Sequence, residues 1–309
     1  MFEQQQLVSK RPSQAMALED QTLREAFQMH PRVVTLGERL GLLRELLKAG
    51  VRRFQIGSLV RGDIMPQMAD TERLYSHIAG VPGLEPWVML FNHRGLERAC
   101  KAGFMHVALS ASLSEIHSRC NLGCSVNQAL YRCQELAGEA LAQGMKVRMG
   151  LQCAFGGPML PPPGADQLLQ ALVPFSRLGV PRLALCDTAG RATSERLRET
   201  LHLLRGELPG AELGLHLHGQ PEQLSANLEA AWSGGADWLD VTLSGRGGCP
   251  FLPGDPPANL STLSAIEFLA KKGLKPDLDN KSLLRASALL ENILGSGKER
   301  LRLKKDTWM

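Results

Sequence analysis

The sharpest chemical signal in this 309-residue chain is the run Gly214-Leu215-His216-Leu217-His218-Gly219. Side chains alternate along a strand, so His216 and His218 share one face while Leu215 and Leu217 take the other. Two imidazoles on one face can hold one divalent cation at about 2.1 Å each. The bland alternative is a pair of ordinary core histidines. A carboxylate is expected as third ligand, and Glu25 qualifies by position, although pairing with its neighbour Arg24 would also account for it. Imidazole and carboxylate ligation with open positions suits Mg²⁺ or Mn²⁺, with Zn²⁺ and Co²⁺ as alternatives. Such an ion acts as a Lewis acid on a substrate oxygen.

A second signal is the segment 244–254, SGRGGCPFLPG. Gly245, Gly247 and Gly248 loosen its first half, and Pro250, Pro253 and Pro257 stiffen the stretch after it. Cys249 sits where the halves meet. A thiol on such a flap can enter a closed site as an acid or base; the alternative is an inert packed cysteine. Asp187, in Cys186-Asp187-Thr188-Ala189-Gly190, could orient a substrate or cap the helix after it. Asn92, Ser110, Ser112 and Gln152 could hydrogen-bond a substrate, and Asn259 precedes a helix that it could cap.

The elements that would position these groups are legible as eight β-like runs, at 16–19, 53–56, 87–91, 106–110, 146–151, 182–186, 212–217 and 238–243. Amphipathic stretches separate most of them, one with Leu40, Leu43, Leu46 and Leu47 on one face. Gly50, Gly103 and Gly179 close helices just ahead of the next strand. Eight strands alternating with helices predict a (β/α)8 TIM barrel with extra C-terminal helices, as a single domain spanning 1–309. The barrel is expected at about 15–272 and a helical extension at about 273–309. The competing solution is an open doubly wound sheet. No GxGxxG follows the first strand, which weakens its dinucleotide-binding form. In a barrel, side chains just past the C-terminal strand ends share one rim. Arg24, Glu25, Gln55, Asn92, Ser110, Gln152, Asp187, His216, His218 and the Cys249 segment all fall there.

Composition narrows the partners. The formal charge is +4, from 35 basic and 31 acidic side chains, and aromatics make up 5%. That balance gives no case for nucleic acid and is compatible with an anionic small molecule. Seven cysteines without a CxxC pair read as reduced thiols in a cytosol-like compartment. No apolar run is long enough for a membrane span, and the N-terminus reads poorly as a signal or transit peptide, so a cytoplasmic protein is expected. The charge run KERLRLKKD near the end reads as a solvated tail.

These motifs resemble the metal-dependent aldolase and Claisen-type barrels, the DRE-TIM metallolyases, and within them the hydroxymethylglutaryl-CoA lyases. The likeness runs in order from about 15 to 295. It is carried by DQTLREAFQ (20–28), MPQMAD (65–70), SASLSEIHSRCNLGCS (110–125), LCDTAG (185–190), LHLHGQ (215–220), GRGGCP (245–250) and ANLST (258–262). The resemblance implies that His216, His218 and Asn259 are metal ligands and that Glu25 stands where the family has a metal-binding aspartate. It implies that Arg24 stabilises a thioester enolate, Cys249 transfers a proton and Asp187 is an acid near the substrate hydroxyl. Gln55, in FQIG, replaces a glutamate usual in relatives. It can neither accept a proton as a base nor neutralise Arg24. Gln55, Asn92, Ser110 and Gln152 are expected to line the substrate.

The reaction implied is cleavage of a 3-hydroxy-3-methylglutaryl-CoA-like 3-hydroxyacyl-CoA by a protein expected to form homodimers. The alternatives are a Claisen-type synthase joining an acyl-CoA to a keto acid, or a barrel that binds a ligand without turnover.

Overall fold

The computed structural model describes residues 16–157, 161–249, 252 and 257–295. The run 298–306 and Pro250 and Pro253 lie outside them. Eight parallel strands close on themselves in sequence order: β1 (Ala17–Asp20), β2 (Arg53–Ser58), β3 (Glu85–Met89), β4 (His106–Ser112), β5 (Lys146–Gln152), β6 (Arg182–Cys186), β7 (Glu212–His216) and β8 (Trp238–Val241). Closure comes from β1 against β8, with Ala17 opposite Trp238 and Asp20 opposite Val241. The expected (β/α)8 barrel is therefore the architecture found.

Helices alternate with the strands: α1 (Thr22–Gln28), α2 (Leu36–Lys48), α3 (Thr71–Ser76), α4 (His93–Ala102), α5 (Glu115–Leu122), α6 (Val126–Ala142), α7 (Ala165–Arg177), α8 (Ser194–Glu207), α9 (Pro221–Ser233), α10 (Thr262–Lys271) and α11 (Asn280–Leu294). Local sequence sets their starts. Thr35 with Glu38, and Ser125 with Gln128, form reciprocal capping boxes for α2 and α6. Asn92, Ser114 and Thr193 cap α4, α5 and α8. The C-terminal extension contributes α11, which lies along α2, with Leu289 against Gly41 and Arg285 paired to Glu45. No helix among the described residues is long and apolar enough to cross a membrane.

β1, β2, β4 and β5 run one or two residues past the ends read from sequence, while three strands stop short of theirs. β3 stops at Met89 rather than 91, because Asn92 already turns the chain into α4. β7 stops at His216 rather than 217; His218 leaves the ladder and forms an isolated antiparallel bridge with Asn259. β8 stops at Val241 rather than 243, and Leu243–Gly245 makes a 3₁₀ turn. β2 carries a register irregularity between Gln55 and Gly57, a feature that re-aims side chains at strand ends.

The lower barrel interior is filled by large and charged side chains packed against each other. A Cβ at Gly214 would fall 1.9 Å from Cε2 of Trp238, so only glycine admits that indole. The Arg182 guanidinium stacks on Trp238 at 4.2 Å and on Trp87 at 4.9 Å. Arg148 pairs with Glu19 and, at 2.6 Å, with Asp240. Arg182 lies 3.1 Å from the other oxygen of Glu19. Four buried charges thus balance in sign, as buried ions must.

Candidate active site at the C-terminal mouth of the barrel

Above this floor a cavity of about 840 Å³ opens at the C-terminal strand ends. Arg24, Glu25, Gln55, Asn92, Ser110, Gln152, His216, His218 and Cys249 all line it. The residues singled out from sequence therefore converge, apart from Ser112, Asp187 and Asn259, which do not line the cavity; the Ser112 hydroxyl accepts from the Ser114 N–H instead.

The two imidazoles are held by their inner nitrogens. His216 Nδ1 lies 3.0 Å from Asp240 Oδ2, and His218 Nδ1 lies 3.0 Å from the carbonyl of Asp187. Each acceptor places the ring proton on Nδ1 and leaves the Nε2 lone pair outward, the arrangement that orients metal-binding histidines. His218 Nε2 is buried without a hydrogen-bond partner. The rings sit 4.8 Å apart at 74°. Burial, and then His216, push the His218 imidazole down to about 4, so it is neutral at pH 7. Burial pushes the Asp240 carboxyl up, but Arg148 and His216 beside it outweigh this and hold it well below the usual range.

Glu25 sits in the first turn of α1, 4% exposed. Its Oε1 pairs with Arg24 and lies 4.0 Å from His216 Nε2. Its Oε2 accepts from Gln28 Nε2 at 2.9 Å and from the Gly248 backbone N–H at 3.2 Å. Burial acts to raise its carboxyl, yet Arg24, the two histidines and the Gly248 N–H together lower it. Asn259 Nδ2 donates to the Arg246 carbonyl at 3.0 Å, leaving Oδ1 as the atom able to ligate. Among the described residues no three His, Cys, Asp or Glu side chains are already gathered as a metal cluster. Glu25 Oε1 is turned to Arg24. Even so, an orphaned buried imidazole nitrogen, a second aligned imidazole, a carboxylate and an amide oxygen fit a divalent ion in kind.

The glycine-rich loop closes over these donors. Gly247 has φ +117°, and a Cβ there would meet Glu25 Cβ and Asn259 Nδ2, each at 2.7 Å. Only glycine lets the loop lie this close. Cys249, which the loop carries, comes 3.2 Å from His117 Nε2.

Arg24 is the other focus. Its Nε donates to Gln55 Oε1 and its Nη1 to Gln28 Oε1 at 3.1 Å. Gln55 is 1% exposed, and its Nε2 has no partner. Gln152 Oε1 accepts from Asn121, and Asn92 Oδ1 accepts from the Gly95 N–H at 2.9 Å. The Asp187 carboxylate is engaged by its own loop, accepting from the backbone of Arg191 at 2.7 Å and Ala192 at 3.1 Å. Burial pushes it up to about 6. The helix cap that sequence offered for Asp187 is supplied by Thr193 instead; the Asp187 carboxylate closes the loop ahead of α8, while its carbonyl orients His218.

Sequence reasoning missed Asp240, Gln28, Arg148 and His117. Asp240 carried a faint signal, since WLDV puts a lone acid in an apolar strand. Only the register that sets it opposite His216 makes it a partner.

A family model described as HMGL-like matches residues 15–290. The mitochondrial hydroxymethylglutaryl-CoA lyase of Bos taurus is 28% identical over 267 residues, 86% of this chain and 82% of that protein. The hydroxymethylglutaryl-CoA lyase of Pseudomonas mevalonii is 26% identical over 88% of this chain and 90% of its own length. Among solved structures, a hydroxymethylglutaryl-CoA lyase from Pseudomonas aeruginosa superposes with a TM-score of 0.85 at 25% identity, covering 92% of this chain and 94% of that one. An HMG-CoA lyase from Acinetobacter baumannii, solved with coenzyme A and 3-methylmalate, superposes equally well, at 0.85 and 24% identity over 91% and 92%.

Proposed function

The chain belongs to the HMGL-like family, and from that premise we propose that it is a single-domain, divalent-metal-dependent carbon–carbon lyase. Its substrate would be a 3-hydroxyacyl-CoA like 3-hydroxy-3-methylglutaryl-CoA, cleaved through a thioester enolate. The observation that carries this is the convergence, in one cavity, of two outward Nε2 lone pairs, Arg24 and the Cys249 loop.

In this reading His216, His218, Glu25 and the Asn259 amide oxygen hold the ion, with Mg²⁺ or Mn²⁺ favoured by the oxygen donors. The bound ion would supply Lewis-acid polarisation of the substrate's hydroxyl and carbonyl oxygens. Asp240 and the Asp187 carbonyl keep the two imidazoles in the ligating tautomer. Arg24 faces the oxygen on which charge develops as the C–C bond breaks. Its donors are preorganised by Gln55 and Gln28, so little reorganisation is needed when the charge appears. Because Gln55 is neutral, strand β2 does not cancel the Arg24 charge. Cys249 returns a proton to the enolate carbon. Gln55, Asn92, Ser110 and Gln152 line the acyl portion. Arg61, Arg94, Arg98 and Arg132 line the same cavity and suit the phosphates of a coenzyme A carrier.

The test is incubation with 3-hydroxy-3-methylglutaryl-CoA and Mg²⁺ or Mn²⁺, following acetyl-CoA release and acetoacetate. Metal-dependent appearance of both supports the reading. No thioester product from this substrate, or from 3-hydroxyacyl-CoAs of other chain lengths, overturns it. A cytoplasmic homodimer is the assembly we propose, checked by sedimentation and by fractionation of the source cells.

A further inference from the structure

His117 belongs to no role assigned above, yet it reaches the flap thiol. It sits in the first turn of α5, where its backbone N–H donates to Ser114 Oγ at 3.2 Å, so its position is fixed by the helix cap. Its ring is 2% exposed, and its Nε2 lies 3.2 Å from Cys249 Sγ, across 132 residues of sequence. Cys249 lines the cavity beside the proposed ligands. A buried imidazole held on a helix and aimed at a thiol on a loop is a built contact between two elements.

We propose that His117 is a positioning residue for Cys249: its Nε2–H donates to the sulfur, holds the thiol at the cavity wall and stabilises the thiolate left after proton transfer. Burial pushes the His117 imidazole down to about 4, so it stays neutral at pH 7 and contributes a hydrogen bond rather than an ion pair. A hydrogen bond to an ionised acceptor is stronger than one to a neutral acceptor, so the contact favours the thiolate over the thiol and makes Cys249 a better acid. The step balances: the S–H proton forms the new C–H bond at the enolate carbon, the S–H electron pair stays on sulfur, and water returns a proton. That step rests on the lyase reading; the His117–Cys249 contact does not.

The experiment therefore uses no substrate. The whole protein is alkylated with iodoacetamide at pH 7, and modification of Cys249 and Cys120 is followed by peptide mass spectrometry. Cys120 is exposed and lies on the same helix as His117, so it reports whether α5 is intact. In His117→Phe, which keeps the ring's bulk, Cys249 should react about tenfold more slowly, the change that one unit of thiol pKa makes near neutrality. Cys120 should be unchanged. His117→Gln, whose amide N–H can reach the sulfur, should recover most of the rate. A Cys249 rate in His117→Phe equal to or above the wild-type rate overturns the proposal. If Cys120 also shifts, the glutamine variant decides, and a Cys249 rate as low as that of the phenylalanine variant overturns it. A protein that shows the predicted alkylation pattern but no lyase activity would retain the pair and lose the functional reading.

Discussion

The two ends of the barrel interior use their polar groups in opposite ways. At the floor, Glu19, Arg148, Arg182 and Asp240 neutralise one another, and two indoles sandwich Arg182. At the mouth, a few ångströms higher, His218 Nε2 and Gln55 Nε2 are buried with nothing to bond. Each such atom costs about 1–3 kcal/mol, and the floor bears the same kind of cost at Arg182 Nη2 and at Nε1 of Trp87 and Trp238, which also lack hydrogen-bond partners. At the floor, counter-ions and indole faces surround the Arg182 guanidinium in place of those hydrogen bonds. The difference is where the unsatisfied atoms face: those of the floor lie against indoles and counter-ions, and those of the mouth line the cavity. Asp240 belongs to both ends: one oxygen pair meets Arg148, and Oδ2 also orients His216.

The largest effect should come from removing a mouth side chain whose outer nitrogen the fold leaves unbonded. His218→Ala should lower Mn²⁺ affinity, read by calorimetric titration, by more than about 100-fold, the upper end of what loss of a mere supporting partner costs. Its stability in denaturant unfolding should fall by about 1–3 kcal/mol, because the Asp187 carbonyl loses its Nδ1 partner, while the deleted Nε2 bonded nothing. A variant that melts far lower yet binds Mn²⁺ normally would reverse the assignment of the two ends. Asp240→Asn should show both signatures at once. Removing one of the two carboxylates that pair with buried Arg148 should cost up to about 3–5 kcal/mol of stability in denaturant unfolding, and weakening the His216 partner about 10- to 100-fold in metal affinity. Stability loss alone would confine Asp240 to the floor.

The sequence carried the barrel and the residue types of the mouth, because both are local. Period-two runs and glycine-closed helices need no knowledge of neighbours, and the His216–His218 spacing states its own shared face. What it could not carry were pairings across the barrel. The partners of His216, Arg24 and Cys249 are Asp240, Gln55 and His117, at separations of 24, 31 and 132 residues. Each depends on strand register or on where a loop lands. The end of β7 was misjudged for the same reason: His218 bridges to Asn259, and nothing near His218 in sequence announces it. Gln55 was visible as a departure from the family pattern, but its use, accepting from Arg24 while leaving its own N–H unbonded, was not.

That unbonded N–H gives a smaller, sharper test of the mouth. In Gln55→Glu the added carboxylate would neutralise Arg24 and replace a donor with an acceptor. The ratio of kcat/KM between 3-hydroxy-3-methylglutaryl-CoA and other 3-hydroxyacyl-CoAs should move by about tenfold, the scale of one charged hydrogen bond. Metal affinity should not fall, because Gln55 touches Arg24 and none of the proposed ligands, and a second carboxylate on Arg24 leaves Glu25 Oε1 freer to ligate. Uniform loss across all acyl groups would make Gln55 a support for Arg24 and not a determinant of selectivity.

The smallest effect concerns the seam between the two ends. Asp20 closes β1, and its carboxylate accepts from the Thr22 N–H and hydroxyl, each at 2.9 Å. Thr22 Oγ1 in turn accepts from the Leu243 N–H at 2.9 Å, tying the start of α1 to the chain after β8. Burial is the main cause that pushes the Asp20 carboxyl up, from the ordinary 3.8 to about 7, against the lowering effect of its Thr22 hydrogen bonds. A raised carboxyl means that the folded protein holds this proton more tightly than the unfolded chain does. Between about pH 4 and 7 the folded state therefore binds more protons, and stability falls as pH rises through that window. Asn cannot ionise, so Asp20→Asn should remove this part of the slope. Its melting temperature, measured by calorimetry, should lie slightly below wild type at pH 4, where the protonated acid still offers both of its oxygens. It should draw level or rise about 2–4 °C above wild type by pH 8, the size of a change near 1 kcal/mol in a chain of this length. Parallel profiles would mean that the carboxylate is charged in the folded seam, held by the Thr22 hydrogen bonds despite its burial. The seam would then belong with the floor, where each charge has a counter-ion.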